Sequence, residues 1–391
     1  MNYHLMIDEK FTDDFIAEAE RCAPGKNVYL VTLYTPQPKF TKSPLIIYKK
    51  SVKKYWFAQI APHLKNTDRV FIHWLDRRVY DIVLSLPVDM NVGIFSWMGD
   101  LIATPSCLFE KEILKPVSYS FFKKYKRYQF QKDRFHGVIY NLLLFARHLF
   151  RILNAPREWS KKKRVMQRIK LFFHWNEFDY QWVKKSYPGF NAQLVYFVYD
   201  VGLDNTSAIT PSNKNEEDPL TIWLGNSATV SNNHFEALEE LRHLKDDRIE
   251  IICPLSYGEL PDSIYTRRLI SQGKQIFGDK FIPLLTYLER DQYYALFQKV
   301  DIVLMNHIRS QAAGNVFAFL KLGKIIFMEE RSTLFQFLHA KNYTQVYAMS
   351  EIRKYSFSDL KALSIEKHFH KHMPEILDRD LKEENLKKYL R

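Results

Sequence analysis

Two polar loops in the C-terminal half carry side chains suited to binding a pyrophosphate. A glycine lets a ligand approach the backbone closely, and the free amides of a helix start attract anions. Ser231 or Asn233 could equally be a helix cap, but a cap alone does not account for six polar residues in one loop. The first loop follows the apolar run TIWL, and its candidates are Gly225, Asn226, Ser227, Ser231, Asn232 and His234.

The second loop follows the apolar run IVLM and reads NHIRSQAAGN. Its arginine can pair with phosphate oxygens in a bidentate manner, and its small residues let backbone amides reach the same anion. A histidine after a strand is more often a loop or core residue. Here it lies between an asparagine and an arginine at the expected ligand edge. The candidates are His307, Arg309, Gln311, Gly314 and Asn315.

Two shorter loops, CPLSYGE and LLTYLERDQYY, end neighbouring predicted strands. Tyr257 and Tyr287 can pack against a nucleotide base, and backbone groups near Leu288 can form hydrogen bonds with the edge of that base. Core aromatics beside a helix cap are an equally good interpretation of each tyrosine.

Metal-binding patterns are missing from the sequence. The single Asp-x-Asp motif, at residues 378–380, lies in a charged C-terminal segment and not at the end of a strand. No cluster of His, Cys, Asp and Glu has metal-ligand spacing. We therefore expect no metal and no cofactor, so that a diphosphate would be stabilised by Arg309, backbone amides and helix dipoles.

The first half offers one acid in a suitable place. Asp100 follows Gly99 just past the apolar run NVGIFSW, where an acid can act as a base or orient an acceptor. Asp8, His73 and Asp76 lie at comparable strand ends. A helix cap or a surface acid is the ordinary interpretation of each of these three.

The elements that position these residues alternate between strand and helix. Continuous apolar strands separated by helices indicate parallel sheets covered on both faces, so the fold class is α/β with two doubly wound, Rossmann-like domains. We predict an N-terminal domain over 1–200, a linker over 201–219, a second domain over 220–361 and a charged helix over 362–391. The last segment either packs on the first domain or forms a solvated tail. The predicted strands are His4–Ile7, Asn27–Thr35, Arg69–Trp74, Asn91–Trp97 and Ala192–Tyr199, then Leu220–Leu224, Arg248–Pro254, Phe281–Leu285, Ile302–Met305 and Lys324–Met328.

The positive charge is concentrated in one segment. Residues 111–175 hold 17 Lys/Arg against 3 Asp/Glu, whereas the whole chain has a net charge of +13. We interpret this segment as basic helices of the first domain that contact an anionic membrane surface. A core helix with a solvated basic edge is an equal alternative for residues 138–153. Nucleic acid is not expected, because no recognisable nucleic-acid module is present. One face of that helix would hold Asn141, Arg147, His148 and Arg151.

The remaining bulk features predict a cytoplasmic, peripheral protein. The three cysteines, Cys22, Cys107 and Cys253, are far apart and fit a reducing compartment. The N-terminus lacks the pattern of a signal peptide, and no apolar run reaches the length of a membrane-spanning helix.

The motifs LGNSATVSNNHFEAL, PLSYG and NHIRSQAAGN, in this order and spacing, resemble glycosyltransferase family 56, the TDP-N-acetylfucosamine:lipid II N-acetylfucosaminyltransferases. SWMGDLI and MIDEKF are similar to further segments of that family. Departures occur at Ser256, at Ser310, and at Met98, where the family has glycine before Gly99. The resemblance covers most of residues 1–345 and is thin between 110 and 190.

The resemblance implies the GT-B fold, in which two Rossmann-like domains face a cleft, without a metal. The donor would be a nucleoside-diphosphate deoxy-amino sugar, and the acceptor a polyprenyl-diphosphate-linked saccharide at the inner face of a bacterial plasma membrane. Asp100 carries over as the acceptor-side acid. The donor-site residues that carry over are Gly225, Asn226, Ser227, Ser231, Asn232, His234, Tyr257, Gly258, Arg309, Gln311, Gly314 and Asn315.

Two other functions fit parts of the sequence. One is a capsule or O-antigen transferase that uses a GDP- or UDP-sugar. The other is a non-catalytic protein whose basic helices bind lipid or nucleic acid.

Overall fold

The computed structural model describes residues 1–33, 35–103, 110–126, 138–199, 217–365 and 378–391. The chain divides into two compact units, each built on one parallel sheet. Unit 1 comprises Met1–Leu108, Phe150–Val201 and Pro374–Arg391, and unit 2 comprises Phe109–Leu149 and Gly202–Met373.

Unit 1 has a seven-stranded sheet in the order β3-β2-β1-β4-β5-β6-β7, in which all neighbouring pairs are parallel. The chain winds outward in one direction from β1 and then returns to β4 on its other side. The strands are β1 (Asn2–Ile7), β2 (Asn27–Thr32), β3 (Ile46–Lys49), β4 (Arg69–Ile72), β5 (Asn91–Phe95), β6 (Leu171–Phe173) and β7 (Gln193–Val195).

Unit 2 has a six-stranded parallel sheet in the order β10-β9-β8-β11-β12-β13. Its inner strands β8, β11 and β12 are buried along their whole length, which is why they read as unbroken apolar runs. The winding direction reverses between β8 and β11. The strands are β8 (Leu220–Leu224), β9 (Ile249–Pro254), β10 (Phe281–Leu284), β11 (Ile302–Met305), β12 (Ile325–Met328) and β13 (Val346–Ala348).

Helices cover the sheets, and several begin at a capping side chain. Ser263, for example, accepts a hydrogen bond from the backbone N–H of Thr266 at the start of the longest helix of the second half. The helices are α1 (Thr12–Cys22), α2 (Val52–Tyr55), α3 (Arg77–Ser85), α4 (Gly99–Ala103), α5 (Glu110–Ile113), α6 (Pro116–Lys126), α7 (Val138–Arg168), α8 (Glu177–Ser186), α9 (His234–Glu240), α10 (Ile264–Phe277), α11 (Arg290–Ala295), α12 (Ala313–Lys321), α13 (Thr333–Ala340), α14 (Phe357–Ile365) and α15 (Arg379–Leu390).

The predicted α/β class with two parallel, doubly wound sheets is confirmed. Three strands, β3, β6 and β13, were not predicted. β6 lies within residues 111–175, for which only basic helices were predicted: α7 ends at Arg168, and the following LFF run lies between β5 and β7. Its two phenylalanines are fully buried, so burial inside the sheet outweighs the basic character of the preceding residues.

The two units do not contain the same residues as the two predicted domains. Residues 109–149 group with unit 2, although the sequence analysis assigned them to the first domain. The charged C-terminal helix packs on unit 1, which decides between the two predicted alternatives. Leu386 and Leu390 of α15 lie in the unit 1 core, and Lys382 pairs with Glu18 at 2.5 Å. Apart from residues 217–219, the predicted linker lies outside the described residues.

The long helix α7 contains the run that was expected to touch a membrane. The side chains of Asn141, Arg147, His148 and Arg151 lie outside the described residues, as does Cys107. Within the described ranges, no helix combines the length and hydropathy that crossing a bilayer requires.

Candidate donor-binding site

The two polar loops of the sequence analysis meet at the reversal point of the unit 2 sheet. One follows β8 and the other follows β11, and these strands are adjacent and parallel. The side-chain amide of Gln311 donates to Asn226 Oδ1 at 3.0 Å and to Asn232 Oδ1 at 3.1 Å, while Gln311 Oε1 accepts from the Ser231 hydroxyl at 3.0 Å. In doubly wound sheets, ligands bind beyond the strand ends at such a switch point.

Asn232 gives the first loop its shape. Its side chain is 1% exposed, and Nδ2 donates to the Ser227 carbonyl at 2.9 Å and to the Thr229 hydroxyl at 2.9 Å. Because its carbonyl oxygen is used by Gln311, the residue joins both loops through one carboxamide. Asn232 is therefore a buried residue that fixes the shape of the first loop and its position relative to the second.

Gly225 makes room for a histidine. The residue has φ +70°, and a Cβ added there would lie 2.5 Å from His234 Nε2 and 3.0 Å from Asn232 Oδ1. From the sequence alone, this glycine is expected to let a ligand approach the backbone closely. In the structure, the side of Gly225 that a Cβ would occupy faces these two buried side chains.

His234 and His307 are both buried and neutral. His234 Nδ1 lies 2.6 Å from the Tyr265 hydroxyl, which donates to the Thr229 carbonyl at 3.2 Å. His307 Nδ1 donates to the Arg309 carbonyl at 3.1 Å. Desolvation lowers the pKa of each imidazole to about 3. Both Nε2 atoms are buried without a hydrogen-bond partner among the described residues.

Arg309 brings a positive charge to the same point. Its Nε donates to the Ser231 hydroxyl at 3.2 Å, and the residue is partly buried. Burial lowers its pKa to about 10, so the guanidinium stays protonated near neutral pH. Within the described ranges, no carboxylate forms an ion pair with it. A partly desolvated cation of this kind is suited to an anionic ligand.

The loop after β9 is attached to the first loop. Ala228 and Gly258 form a parallel bridge, in which the Ala228 amide donates to the Tyr257 carbonyl at 2.7 Å. Gly258 has φ +107°, and an added Cβ would lie 2.8 Å from Thr229 Cγ2. Tyr257 itself is 54% exposed, so its ring is not the core aromatic that was the alternative interpretation.

The loop after β10 holds the other tyrosine candidate. Tyr287 is 61% exposed, and Leu288 is partly exposed. Both therefore lie on the surface at a strand end of unit 2, where a planar ligand group can reach them.

Helix α12 begins at the end of the second loop. Ala312 precedes it in the left-handed conformation, with φ 58°, and Gly314 and Asn315 lie in its first turn. Asn315 Nδ2 donates to the Tyr293 hydroxyl at 2.9 Å. This contact holds the first turn, whose backbone amides have no carbonyl of their own helix to bind.

Sequence reasoning missed several residues that hold this site together, namely Lys115, Asn306, Glu329 and Tyr265. Asn306 and Asn233 exchange side-chain to backbone hydrogen bonds at 2.9 and 3.0 Å. Asn306 was visible as the residue that ends the IVLM strand. Lys115 had no local signal, because its partners lie far away in the sequence.

The acceptor-side candidate Asp100 is fully buried in unit 1. Its Oδ2 accepts from the backbone N–H of Leu75 at 2.8 Å, which ties the loops after β4 and β5 together. Burial raises the pKa of Asp100, and the nearby Lys162 opposes that rise. Lys162 is also buried and donates to the carbonyls of Asp100 and Leu101 at 2.6 and 3.2 Å.

The other three candidates of unit 1 have structural partners. Asp8 accepts four hydrogen bonds from residues 39–41, which outweigh the opposing effect of burial and lower its pKa. Asp76 caps α3. His73 is 2% exposed, and its ring nitrogens contact the Tyr199 hydroxyl at 2.8 Å and His4 Nδ1 at 3.0 Å. The contact of Asp76 matches the cap interpretation given above, whereas His73 is a buried core residue.

In the part of the chain that the structure describes, no group of three or more His, Cys, Asp or Glu side chains lies close enough to hold a metal ion. Metal independence stays a prediction.

Two doubly wound parallel sheets, with a polar site at the switch point of the second, define a protein of the GT-B class. Solved structures with this architecture align with almost the whole chain. They include the N-terminal domain of Candida albicans trehalose-6-phosphate phosphatase (9% identity, 100% of this chain and 95% of that chain, TM-score 0.56). An E. coli trehalose-6-phosphate structure bound with UDP-2-fluoro glucose is similar as well (10% identity, 99% and 95%, TM-score 0.53).

The UDP-forming α,α-trehalose-phosphate synthase from Burkholderia xenovorans, in complex with glucose-6-phosphate, is a third such structure (9% identity, 100% and 98%, TM-score 0.52). The sequence itself matches the family described as 4-alpha-L-fucosyltransferase, glycosyl transferase group 56, over residues 157–365. The chain belongs to this family and is a glycosyltransferase. The match includes every donor-side candidate and excludes Asp100, Asp8, His73 and Asp76.

Proposed function

We propose that this glycosyltransferase moves a deoxy-amino sugar, similar to N-acetylfucosamine, from a nucleoside-diphosphate donor to a polyprenyl-diphosphate-linked saccharide in bacterial surface polysaccharide synthesis. The proposal that the donor is a nucleoside diphosphate rests on Arg309. This residue is a partly buried cation at the switch point that no described carboxylate neutralises. A family described by fucosyl transfer supports a 6-deoxy sugar, and we propose TDP as its carrier.

The donor's diphosphate binds between the loops after β8 and β11. Arg309 supplies the charge, while the first-turn amides at Gly314 and Asn315 donate hydrogen bonds. These groups stabilise the leaving diphosphate without a metal ion. Replacing Arg309 with Ala should weaken nucleoside-diphosphate binding by about tenfold to a hundredfold, the range expected for one charge-assisted contact. Arg242→Ala is the matched control, since this exposed arginine pairs with Glu239 on α9.

The nucleotide base lies against the exposed tyrosines of the two adjacent strand ends. Tyr257 and Tyr287 are each more than half exposed, so their rings are available for stacking. Base selectivity separates this donor from a UDP- or GDP-sugar. Thermal-shift measurements with TDP, UDP and GDP test it, and preferential stabilisation by UDP or GDP would favour the capsule or O-antigen alternative.

On the acceptor side we propose Asp100 as the acid that deprotonates or orients the acceptor hydroxyl. Its raised pKa is a property that general bases often have. Asp100→Asn keeps an oxygen to accept from the Leu75 amide, so it removes the proton-accepting function while leaving the loop tie in place. Nucleoside-diphosphate release should fall by about a hundredfold or more in this variant. Turnover equal to wild type would show that Asp100 only holds the loops.

We also propose that α7 contacts an anionic membrane at the inner face of the plasma membrane. Leu149, Phe150 and Leu153 are 45%, 64% and 67% exposed, and they lie close together on one helix. Arg157 and Arg164 are exposed further along it. Apolar side chains that enter an interface beside cations at headgroup level are the pattern of peripheral anchoring.

Sedimentation with vesicles tests this contact. Wild type should bind vesicles that contain anionic lipid and bind neutral vesicles weakly. A Phe150→Ser and Leu153→Ser double variant should lose most of that binding. Leu381→Ser, at an exposed leucine of α15, is the control.

The decisive experiment for the reaction is incubation with a panel of nucleotide-sugars and an extract of lipid-linked acceptors, following nucleoside-diphosphate release. A TDP-linked deoxy-amino sugar should be consumed only when the acceptor extract is present. Release with no member of the panel, by folded protein that also fails to bind nucleoside diphosphates, would contradict the proposal.

A further inference from the structure

A ring of hydrogen bonds joins the two loops at the switch point of unit 2. Asn306 directly follows β11, and its Nδ2 donates to the Asn233 carbonyl at 2.9 Å. Asn233 lies just before α9, and its Nδ2 donates to the Asn306 carbonyl at 3.0 Å. Both side chains are fully buried. The spacing between the loops is therefore fixed by two carboxamides rather than by the strands alone.

Lys115, between α5 and α6, closes this ring. Its backbone N–H donates to Asn233 Oδ1 at 2.9 Å, and its Nζ donates to Asn306 Oδ1 at 2.7 Å. One residue thus satisfies the oxygens of both buried carboxamides. It lies outside residues 157–365, so the family match gives it no role.

The charge of Lys115 is compensated in place. Its Nζ lies 2.5 Å from Glu329 Oε2, and the two side chains are 16% and 5% exposed. Burial alone would raise the pKa of Glu329, but the hydrogen bonds from Arg331 and Lys115 lower it overall. Lys115 therefore has three contacts at the strand ends. Its ammonium group binds Asn306 and Glu329, and its backbone N–H binds Asn233.

We infer that Lys115 is a positioning residue for donor binding, an inference that rests on the proposed function. Arg309 follows Asn306 by three residues, and His307 lies between them. A shift of the Asn306 carboxamide moves the start of the loop that carries the guanidinium. The Lys115 ammonium, fixed by Glu329, holds that carboxamide where it can bond to Asn233. It thereby fixes the distance between the two loops that bind the diphosphate.

A different role for the same contacts is simple docking of the segment 113–118 on unit 2. That docking has its own bonds: Ser118 donates to Glu236 from its backbone N–H at 2.8 Å and from its hydroxyl at 2.5 Å. Phe121 also packs on Phe235, with ring centroids 5.0 Å apart. Removing the Lys115 ammonium leaves these bonds and its own backbone bond intact. The two roles can therefore be separated by mutation.

The experiment uses the full chain as Lys115→Met, Lys115→Arg and Ser118→Ala. Isothermal titration with TDP gives the dissociation constant, steady-state assays with the nucleotide-sugar give KM and kcat, and thermal melts without ligand give stability. Lys115→Met should raise the TDP dissociation constant and the donor KM by about tenfold, the order expected when a site is misplaced by a fraction of an ångström. Lys115→Arg should recover most of that loss. Ser118→Ala should lower the melting temperature without changing TDP affinity.

Two outcomes would overturn the inference while the proposed function stands. One is wild-type TDP affinity in Lys115→Met; the other is an equal loss of affinity in Ser118→Ala, which would assign the contacts to docking. Wild-type protein that binds no nucleoside diphosphate would instead end the proposed function, and with it the positioning role.

Discussion

Acidification offers a quantitative test of the buried histidines beneath the donor loops. His234 and His307 have pKa values lowered to about 3, whereas histidine in an unfolded chain titrates near 6.5. Between these values the unfolded chain binds protons that the folded protein excludes. Their contribution to stability is therefore complete above pH 6.5 and is lost as pH falls.

The magnitude follows from linkage. Between pH 7 and pH 5.5, each such histidine should remove roughly 1 kcal/mol from the free energy of unfolding, or roughly 2 kcal/mol for the pair. Carboxylates whose pKa is lowered, such as Glu329, lose their contribution only near and below their unfolded pKa of about 4. In the window from pH 7 to 5.5, the buried Asp100 and Lys162 also titrate, because their pKa values are shifted to about 6 and about 7, so a histidine's own contribution has to be read from the difference between its variant and wild type.

The assay is guanidinium denaturation at both pH values for wild type, His307→Asn and His234→Asn. His4 and His73 of unit 1 also have lowered pKa values, so the measured quantity is the difference between a variant and wild type. Each variant should lose roughly 1 kcal/mol less than wild type on acidification. A variant with the same pH dependence as wild type would refute the burial argument for that histidine.

Three further predictions concern packing. Gly225→Ala should destabilise the protein by about 2–4 kcal/mol, from the left-handed backbone and the clash with His234, measured by denaturation. Tyr265→Phe should cost about 1–3 kcal/mol, because His234 Nδ1 would be left without its hydroxyl partner, and an unchanged midpoint would contradict the contact. Leu390→Ala should cost about 3 kcal/mol if α15 is part of the unit 1 core, while the exposed Leu381→Ala should cost less than about 0.5 kcal/mol.

The sheets and the donor loops could be predicted because their signals are local. β8 and β11 are buried on both faces, so they read as unbroken apolar runs, and the polar residues that follow them stand out. β6 was hidden because its three residues follow a basic helix without a turn signal. In that case burial between two strands decided the structure, and burial is a property of the whole sheet.

The acceptor-side residues show that a position after a strand is not enough to predict what a side chain contacts. Asp100, Asp76 and His73 all follow strands of unit 1, which is the feature that selected them. The structure separates them by what their side chains contact: a neighbouring loop amide, a helix start, and two buried aromatic partners. A strand end places a residue near a ligand edge, but the direction of its side chain depends on neighbours far away in sequence.

Lys115 is the clearest example of such a neighbour, because Asn306 is 191 residues away. Its contact has a consequence for the charge at the switch point. His234 and His307 are neutral, and the Lys115 ammonium is neutralised by Glu329. Within the described residues of these two loops, Arg309 is then the cation without a carboxylate partner. We therefore expect an anionic donor to gain charge-dependent affinity from this side chain, so that raised salt should weaken donor binding more in wild type than in Arg309→Ala.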